Sequence, residues 1–517
     1  MAGQVLTTAI RELNGLVQPV EALRAEASRR TSQAHKAEMG QFLTPISVAH
    51  LMASMAVCDD AEVRILDAGA GVGSLFAALV EKLCRKQTLP ASIFVTAYEI
   101  DPSLTEPLET TLRLCGQRCA LEGIKFTGEV IVSDFLKDAA DRLNNGLFEM
   151  AEIPSFSCAV LNPPYKKINN ESETRQLLRR IGVETSNLYA GFVAAAIQML
   201  KPSGELIAIT PRSFCNGPYF YPFRKYLLNE TVLHRVHVFE SRSTAFKEDE
   251  VLQENIIYKA VKGGVRPATV TITSTAALNS ESESRQMKYD ELIRPNDPEL
   301  FIHITPDAKS HEAALLMARL HCTLPELGLS VSTGRVVDFR AKTFLRSEPE
   351  TGTVPLIYPA HFDNGYVSWP RSNARKPNAI VNSEETSALL VPNENYVLTK
   401  RFTTKEERRR IVAVVYDHNR LAANLVGIEN HINYFHRRHR GLSLVLARGL
   451  ALFLNSTPVD TFFRQFNGHT QVNATDLRNI KYPSLDVLEK LGAKCTSEFP
   501  NQVKIDNLVG RMVFDER

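Results

Sequence analysis

One tryptophan in 517 residues, and eight cysteines without a CxxC pair, mark what this chain does without. The cysteines (58, 84, 115, 119, 158, 215, 322 and 495) are scattered, and Cys115 and Cys119 lack His or Cys neighbours at zinc-finger spacing. They read as reduced, structural thiols, and no metal site is expected. No stretch supplies the roughly 18 consecutive apolar residues of a membrane helix. Near the start, Arg11, Glu12, Glu21, Arg24 and Glu26 interrupt the apolar residues where a secretory leader needs an unbroken run, so a cytoplasmic protein is expected. Neither charge sign dominates: 60 Lys+Arg stand against 58 Asp+Glu, net +2, and total charge therefore points to no partner. What is present is ordinary globular material, 44% hydrophobic and 23% charged, with 26 Gly and 26 Pro, which excludes a fibrous or mainly disordered chain.

Residues 1–38 carry Ala, Glu, Arg and Leu at mixed three- to four-residue spacing and predict an N-terminal helix that stops before Gly40. Short β-rich runs then alternate with helical ones: Val63–Leu66 and Ser74–Cys84, Ile93–Tyr98 and Ser103–Cys115, Val130–Val132, Cys158–Leu161 and Leu188–Leu200, Leu206–Thr210 and Tyr221–Leu228, Val236–Phe239, and Ile256–Lys259. Such alternation predicts an α/β fold with a parallel, doubly wound sheet, whose ligands sit at the carboxyl ends of the strands. The polar stretch Ser274–Ser284 is the expected boundary, giving a first domain over 1–275. Residues 285–517 lose the alternation and mix short apolar runs with turns and Arg clusters, which predicts an α+β second domain without internal repeats.

Within Val63-Arg-Ile-Leu-Asp-Ala-Gly-Ala-Gly-Val-Gly-Ser-Leu75 a strand feeds a turn with Gly69, Gly71 and Gly73 and then opens a helix. Three alternating glycines let backbone approach a ligand closely beside free helix N–H groups, more than a bare strand–helix connection requires. The dinucleotide fingerprint GxGxxG is absent, and Asp67 precedes the first glycine. Glu99 ends the next strand run and can accept both hydroxyls of a ribose; Asp134 ends the one after and can accept an adenine amino proton. Each acid alone also reads as a helix cap or loop carboxylate. Together with the turn they favour a nucleoside lying across the sheet edge.

After the fourth strand run comes Asn162-Pro163-Pro164-Tyr165, then Lys166 and Lys167. Two prolines fix φ and remove two donors, leaving a rigid array of acceptors. An amino group can donate one proton to the Asn162 side-chain oxygen and the other to the Pro163 carbonyl, which draws its lone pair out of conjugation and toward an electrophile. Tyr165 offers a flat face for stacking.

With these residues in place, the sequence resembles the S-adenosylmethionine-dependent gamma-class DNA adenine N6 methyltransferases. Gly40-Gln-Phe-Leu-Thr-Pro45 is similar to the family's first motif, the stretch Asp67 to Gly73 to its methionine-binding turn, Glu99 to its ribose acid and Asp134 to its adenine acid. Asn162 to Tyr165 resembles its catalytic tetrad. The resemblance implies a Rossmann-like methyltransferase sheet. It implies cofactor contacts from Gln41, Phe42, Thr44, Pro45, Asp67, Gly69, Gly71, Gly73, Glu99, Ile100, Asp134, Phe135 and Asn162, and catalysis by Asn162, Pro163, Pro164 and Tyr165. In Thr244-Ala-Phe-Lys-Glu-Asp-Glu-Val-Leu-Gln-Glu-Asn-Ile-Ile257, which looks like a later family motif, Phe246 is implied to stack on the other face of an extruded base. Segments 429–436 and 463–477 are similar to those of PstI/BsuBI-type modification enzymes, which implies CTGCAG as target and a separate restriction endonuclease as functional partner.

A base inside a duplex is out of reach, so this chemistry needs base extrusion and a grip on phosphates. Between Lys400 and Arg440, ten Lys/Arg stand against four acids, with His418, His431, His436 and His439 interspersed. Lys400, Arg401, Tyr434, Arg437, Arg438 and Arg440 are the expected DNA-facing residues, and Arg464, Gln471 and Asn473 are of the types that read base edges. The Arg408–Arg410 run reads equally as a solvated face. Competing substrates for the tetrad are a protein glutamine amide, RNA, or the amino group of cytosine or guanine; a non-catalytic DNA-binding scaffold is a further alternative. Cytosine C5 methylation would need a nucleophilic Cys after Pro, and no Pro-Cys pair occurs.

Overall fold

Strands that are buried on both faces carry near-continuous apolar runs, and Phe156–Leu161, interrupted only by Ser157, is a clear case: all six residues are buried. Cys158 and Val160 enter one hydrophobic cluster and Ala159 and Leu161 another, so this strand lies between two helical layers. The computed structural model describes residues 15–30, 43–145, 155–239, 255–275, 283–305, 308–371, 375–403, 407–466, 471–496 and 498–515. The chain divides into two compact units, Met1–Pro306 and Asp307–Arg517.

The described residues of the first unit contain nine strands: β1 (Glu62–Ala68), β2 (Ser92–Glu99), β3 (Lys125–Val132), β4 (Phe156–Leu161), β5 (Leu200–Pro211), β6 (Thr231–Phe239), β7 (Asn255–Lys262), β8 (Thr269–Thr275) and β9 (Glu283–Lys288). They form one sheet in the order β3-β2-β1-β4-β5-β7-β6-β8-β9. β1 to β5 run parallel, β7 is antiparallel to both β5 and β6, and β9 closes the far edge antiparallel to β8. Helices α1 (Val17–Arg30), α2 (Ile46–Met55), α3 (Ser74–Leu83) and α4 (Thr105–Leu121) cover one face, and α5 (Phe135–Asn145), α6 (Glu173–Arg180), α7 (Leu188–Met199) and α8 (Tyr221–Glu230) the other.

Three expectations are corrected here. The N-terminal helix does not run unbroken over 1–38: Gly15 has φ +102°, outside the helical region, and α1 starts at Val17. The stretch Ser274–Ser284 is no domain boundary, because it links β8 to β9, which pair with each other; the division falls after Pro306. β3 is longer than Val130–Val132, since it is an edge strand with a largely wet face and shows little apolar pattern.

The second unit is α+β. A six-stranded sheet takes the strands Ser330–Thr333, Ile432–His436, Tyr396–Lys400, Ala413–Tyr416, Tyr366–Val367 and Phe362–Asp363 in that order, and a five-stranded sheet takes Leu345–Arg346, Ala379–Val381, Thr353–Ile357, Leu425–Ile428 and Leu390–Pro392. Helices Leu444–Leu454 and Leu485–Ala493 cross backbone to backbone at two glycines. A Cβ on Gly449 would fall 1.8 Å from the Leu488 carbonyl oxygen, and one on Gly492 would fall 1.9 Å from that of Val445.

Asp67, at the end of β1, is fully buried; its Oδ2 accepts weakly from Phe76 N–H at 3.4 Å and its Oδ1 has no hydrogen-bond partner among the described residues. Desolvation pushes its carboxyl up to about 8, with Phe76 N–H opposing.

Gly449→Ala should lower stability by about 3 kcal/mol in denaturant unfolding, since the helices must separate to admit a methyl group; an unchanged midpoint would refute the close crossing. For Asp67 the folded-state pKa is raised, so its contribution is full at low pH and is lost as pH climbs through about 8. Asp67→Asn should therefore melt near wild type at pH ~4 and be more stable by several kcal/mol at pH ~9, because the unfolded carboxyl ionises at about 4 while the buried one holds its proton to about 8, at about 1.4 kcal/mol per pH unit between. Equal offsets at both pH values would contradict it.

Candidate active site and basic surface

The turn after β1 is held by β2. Gly69 N–H and Ala70 N–H both donate to the Tyr98 carbonyl, at 2.9 and 2.8 Å, and Gly71 N–H donates to Glu99 Oε2 at 2.8 Å. Gly69, Gly71 and Gly73 have φ of +79°, +59° and +86°, the region where only glycine is at ease. A Cβ on Gly71 would also meet the end of the Leu43 side chain at 2.8 Å, so Leu43 would have to shift. Thr111 on α4 donates its hydroxyl to the Val72 carbonyl at 2.7 Å and fixes the far side of the turn.

Glu99 is buried, and its Oε1 accepts from the N–H groups of Ile100 and Asp101, each at 2.9 Å. Burial raises its pKa, while these backbone donors and Gly71 N–H pull the other way. Asp134 caps α5, its Oδ1 accepting from Leu136 N–H at 2.9 Å.

The tetrad stands after β4. Asn162 Nδ2 donates to Thr44 Oγ1 at 2.9 Å, and Asn162 Oδ1 accepts from the Tyr165 hydroxyl at 3.1 Å. One end of the amide is thus fixed by the segment before α2 and the other by the tetrad itself. Tyr165 packs edge-on to Tyr189, centroids 6.2 Å apart, and burial drives its phenol far above the ordinary value, so it acts as a neutral donor.

A cavity opens across the carboxyl ends of β1 to β4. Of the residues expected there, Thr44, Gly69, Gly71, Glu99, Ile100, Asp134, Phe135, Asn162 and Pro164 line it. Pro45, Asp67, Gly73, Pro163 and Tyr165 do not line it: Pro45 caps α2, Gly73 caps α3, and Asp67 lies buried behind the turn. Gln41, Phe42 and Phe246 lie outside the described residues. Sequence reasoning missed Leu43, Tyr98, Lys166, Thr174, Leu188 and Phe192, which also line the cavity. Phe192 and Leu188 sit on the apolar helix α7, whose pattern only signals burial; Leu43 lies inside the first motif and was the one within reach.

In the second unit the fold sorts the expected DNA-facing residues. Tyr434 is fully buried, packed against Tyr396 and His436, and so belongs to the core. Arg464 is tied to Asp460 Oδ2 at 2.7 Å and to the Glu407 carbonyl, and Asn473 caps a short helix with Asp476. Both are structural in place. Arg410 is fully buried and donates to Thr403. Gln471 pairs with Phe402 in an isolated bridge, and Arg401 donates to the Asn430 carbonyl at 3.2 Å. Lys400 ends its strand half-exposed, and Arg437, Arg438 and Arg440 are exposed on the turn after Ile432–His436, Arg440 beside Glu394. His431 is exposed, its Nδ1 on the buried Glu429 carboxylate and its ring 4.9 Å from Phe402.

Comparison with known proteins gives this arrangement a family. Residues 117–246 match the model of the Eco57I restriction-modification methylase. The type II methyltransferase M.PstI of Providencia stuartii is 44% identical over 493 residues, covering 95% of this chain and 96% of that protein. M.BsuBI of Bacillus subtilis is 43% identical, covering 93% and 95%. The solved structure of the type IIL restriction-modification enzyme MmeI in complex with DNA superimposes with a TM-score of 0.52 over 99% of this chain and 75% of that chain, at 11% identity, a likeness of fold alone. Full-length relatives this similar place the chain among the type II methyltransferases of restriction-modification systems.

Proposed function

We propose that this protein methylates the N6 amino group of an adenine extruded from double-stranded DNA, using S-adenosylmethionine. The observation that carries the reading is the placement of Asn162, oriented by Thr44 and Tyr165, on the same cavity as the glycine turn and Glu99.

The residues fit the cofactor. A turn of three left-handed glycines leaves backbone to meet a compact charged group, Glu99 is the acid that suits ribose hydroxyls, and Asp134 suits an adenine amino group. When bound, the cofactor supplies an electrophilic methyl group on a positively charged sulfur. The chain supplies position and acceptors. Asn162 Oδ1, turned by Tyr165, and the Pro163 carbonyl are the acceptors for the two protons of the amine, pulling the nitrogen lone pair out of the ring. Once the nitrogen gains the methyl group its extra proton passes to solvent water, while Asn162 and the Pro163 carbonyl serve as hydrogen-bond acceptors only, and no covalent enzyme intermediate is needed. Tyr165 and Phe246 are the expected aromatic faces for the base.

The second unit is proposed to hold the duplex through Lys400, Arg401, Arg437, Arg438, Arg440 and Gln471, with CTGCAG as the site and a separate endonuclease cutting the unmodified sequence. Among the described residues no helix is long and apolar enough to cross a membrane, and the cytoplasm, where DNA lies, is the proposed place of action.

Methylation-aware sequencing of plasmid from a host without adenine methylation tests this: N6-methyladenine at one palindrome is expected, and its absence despite cofactor binding would overturn the reading. Asn162→Ala should abolish transfer while gel-shift and calorimetric affinities for DNA and cofactor stay within about threefold; loss of binding would refute a role on the amine. Glu99→Ala should weaken cofactor binding by roughly 10- to 100-fold, about 1.5–3 kcal/mol for charge-assisted hydrogen bonds. Unchanged calorimetric affinity would remove Glu99 from the cofactor site.

A further inference from the structure

The strand Ile432–His436 ends in the turn Arg437-Arg438-His439-Arg440. Arg437 and Arg440 exchange both backbone hydrogen bonds, each at 2.8 Å, and Arg438 and His439 have φ of +47° and +65°. This is a two-residue turn of type I′, a geometry that favours Asn-Gly because both central residues are left-handed. Here an arginine and a histidine occupy those positions and accept the strain. All four side chains are exposed. Arg440 is paired with Glu394, whereas Arg437 and Arg438 have no side-chain partner among the described residues.

The turn is also braced. The rings of His439 and His436 stack, centroids 4.5 Å apart and 24° between planes. Buried His436 accepts the His439 backbone N–H on Nδ1 at 2.9 Å, which puts its ring proton on Nε2, 2.9 Å from Ser332 Oγ. His439 Nδ1 lies 3.3 Å from both Arg335 Nη2 and the Tyr434 hydroxyl; arginine only donates, so His439 carries its own proton on Nε2. Burial holds His436 down at about 4, so it remains an acceptor at neutral pH.

A phosphate contact asks for positive charge and tolerates a mobile side chain. A hydrogen bond to a base edge asks for direction, and strain persists where the surroundings enforce it for function. Resting on the proposed DNA reading above, we propose that this turn is a base-reading element that enters the major groove, with Arg438 presenting its two-pronged guanidinium to the O6 and N7 acceptors of a guanine. A two-stranded ribbon tip has the dimensions for that groove, and an arginine fork matches that edge.

The test uses the full-length protein and three variants at this turn. Arg438→Asn combined with His439→Gly installs the pair that type I′ geometry prefers, so the melting temperature should hold or rise, while kcat/KM on the wild-type enzyme's site-containing duplex falls by roughly 10- to 100-fold or more. Arg438→Lys keeps the charge and should lose nearly as much, and Arg438→Ala should no longer respond when N7 of the recognised guanine is replaced by carbon. If the Asn-Gly variant methylates within about threefold of wild type, the turn is only structural. If Arg438→Lys retains activity while the Asn-Gly variant loses it, the contact is to phosphate, and base reading is overturned. Failure of the wild-type protein to methylate any DNA would instead strike the function proposed above, so the two failures are distinguishable.

Discussion

The cavity depends on one junction, where the carboxyl ends of β1 and β2 lie side by side and the second strand accepts the peptide N–H groups of the turn after the first. The Tyr98 carbonyl takes two of them and the Glu99 carboxylate a third. A turn of this shape leaves its N–H groups inside the fold, where each would be costly without an acceptor. β2 supplies both acceptors from successive residues, one backbone and one side chain. This arrangement also explains why Glu99 stays buried: it is an acceptor built into the turn first, and its position at the cavity follows from that.

The same logic extends to the tetrad. An asparagine amide has two chemically different ends that a loop alone does not distinguish. Thr44, from before α2, and Tyr165, three residues on, define which end points where. The prolines contribute no donors to compete, and the segment after Tyr165 is tied to the start of α7, with Leu188 N–H on the Lys166 carbonyl at 2.8 Å. The amide is thereby held by three separate stretches of chain, 44, 162–166 and 188, which come together only when the sheet is complete. Preorganisation of this kind is what the direct transfer proposed above requires, because a reaction without a covalent intermediate draws on positioning and polarisation alone.

Much of the first unit was legible because its strands are buried on both faces and therefore spell themselves out as apolar runs. The glycine turn was legible because left-handed backbone restricts residue choice. What escaped reading has the opposite character. β9, Glu283–Lys288, is a polar edge strand whose residues alternate toward nothing apolar except Met287. Helices α5 and α6 are largely polar and hide among loop-like composition. In the cavity, Phe192, Leu188 and Tyr98 could not be told from core, since a side chain that lines a ligand site from an apolar element follows the same pattern as one that fills the interior.

The second unit shows a different limit. A sequence counts charges and aromatics, whereas a ligand meets only those that the fold has not already used. Arg410 and Arg464 are committed to neighbouring carbonyls and to Asp460, Tyr434 to a ring cluster, and Asn473 to a helix start. Within the basic stretch Arg410 is thereby withdrawn, whereas Arg437, Arg438 and Arg440 stay exposed on the turn after one buried strand, with His431 exposed just before it. Every residue of that strand is buried and it pairs on both sides, with Ser330–Thr333 and with Tyr396–Lys400, so it has no freedom to bend toward a ligand. Its ends are consequently rigid platforms, separated by a fixed length of backbone, and any duplex that engages both must conform to that spacing.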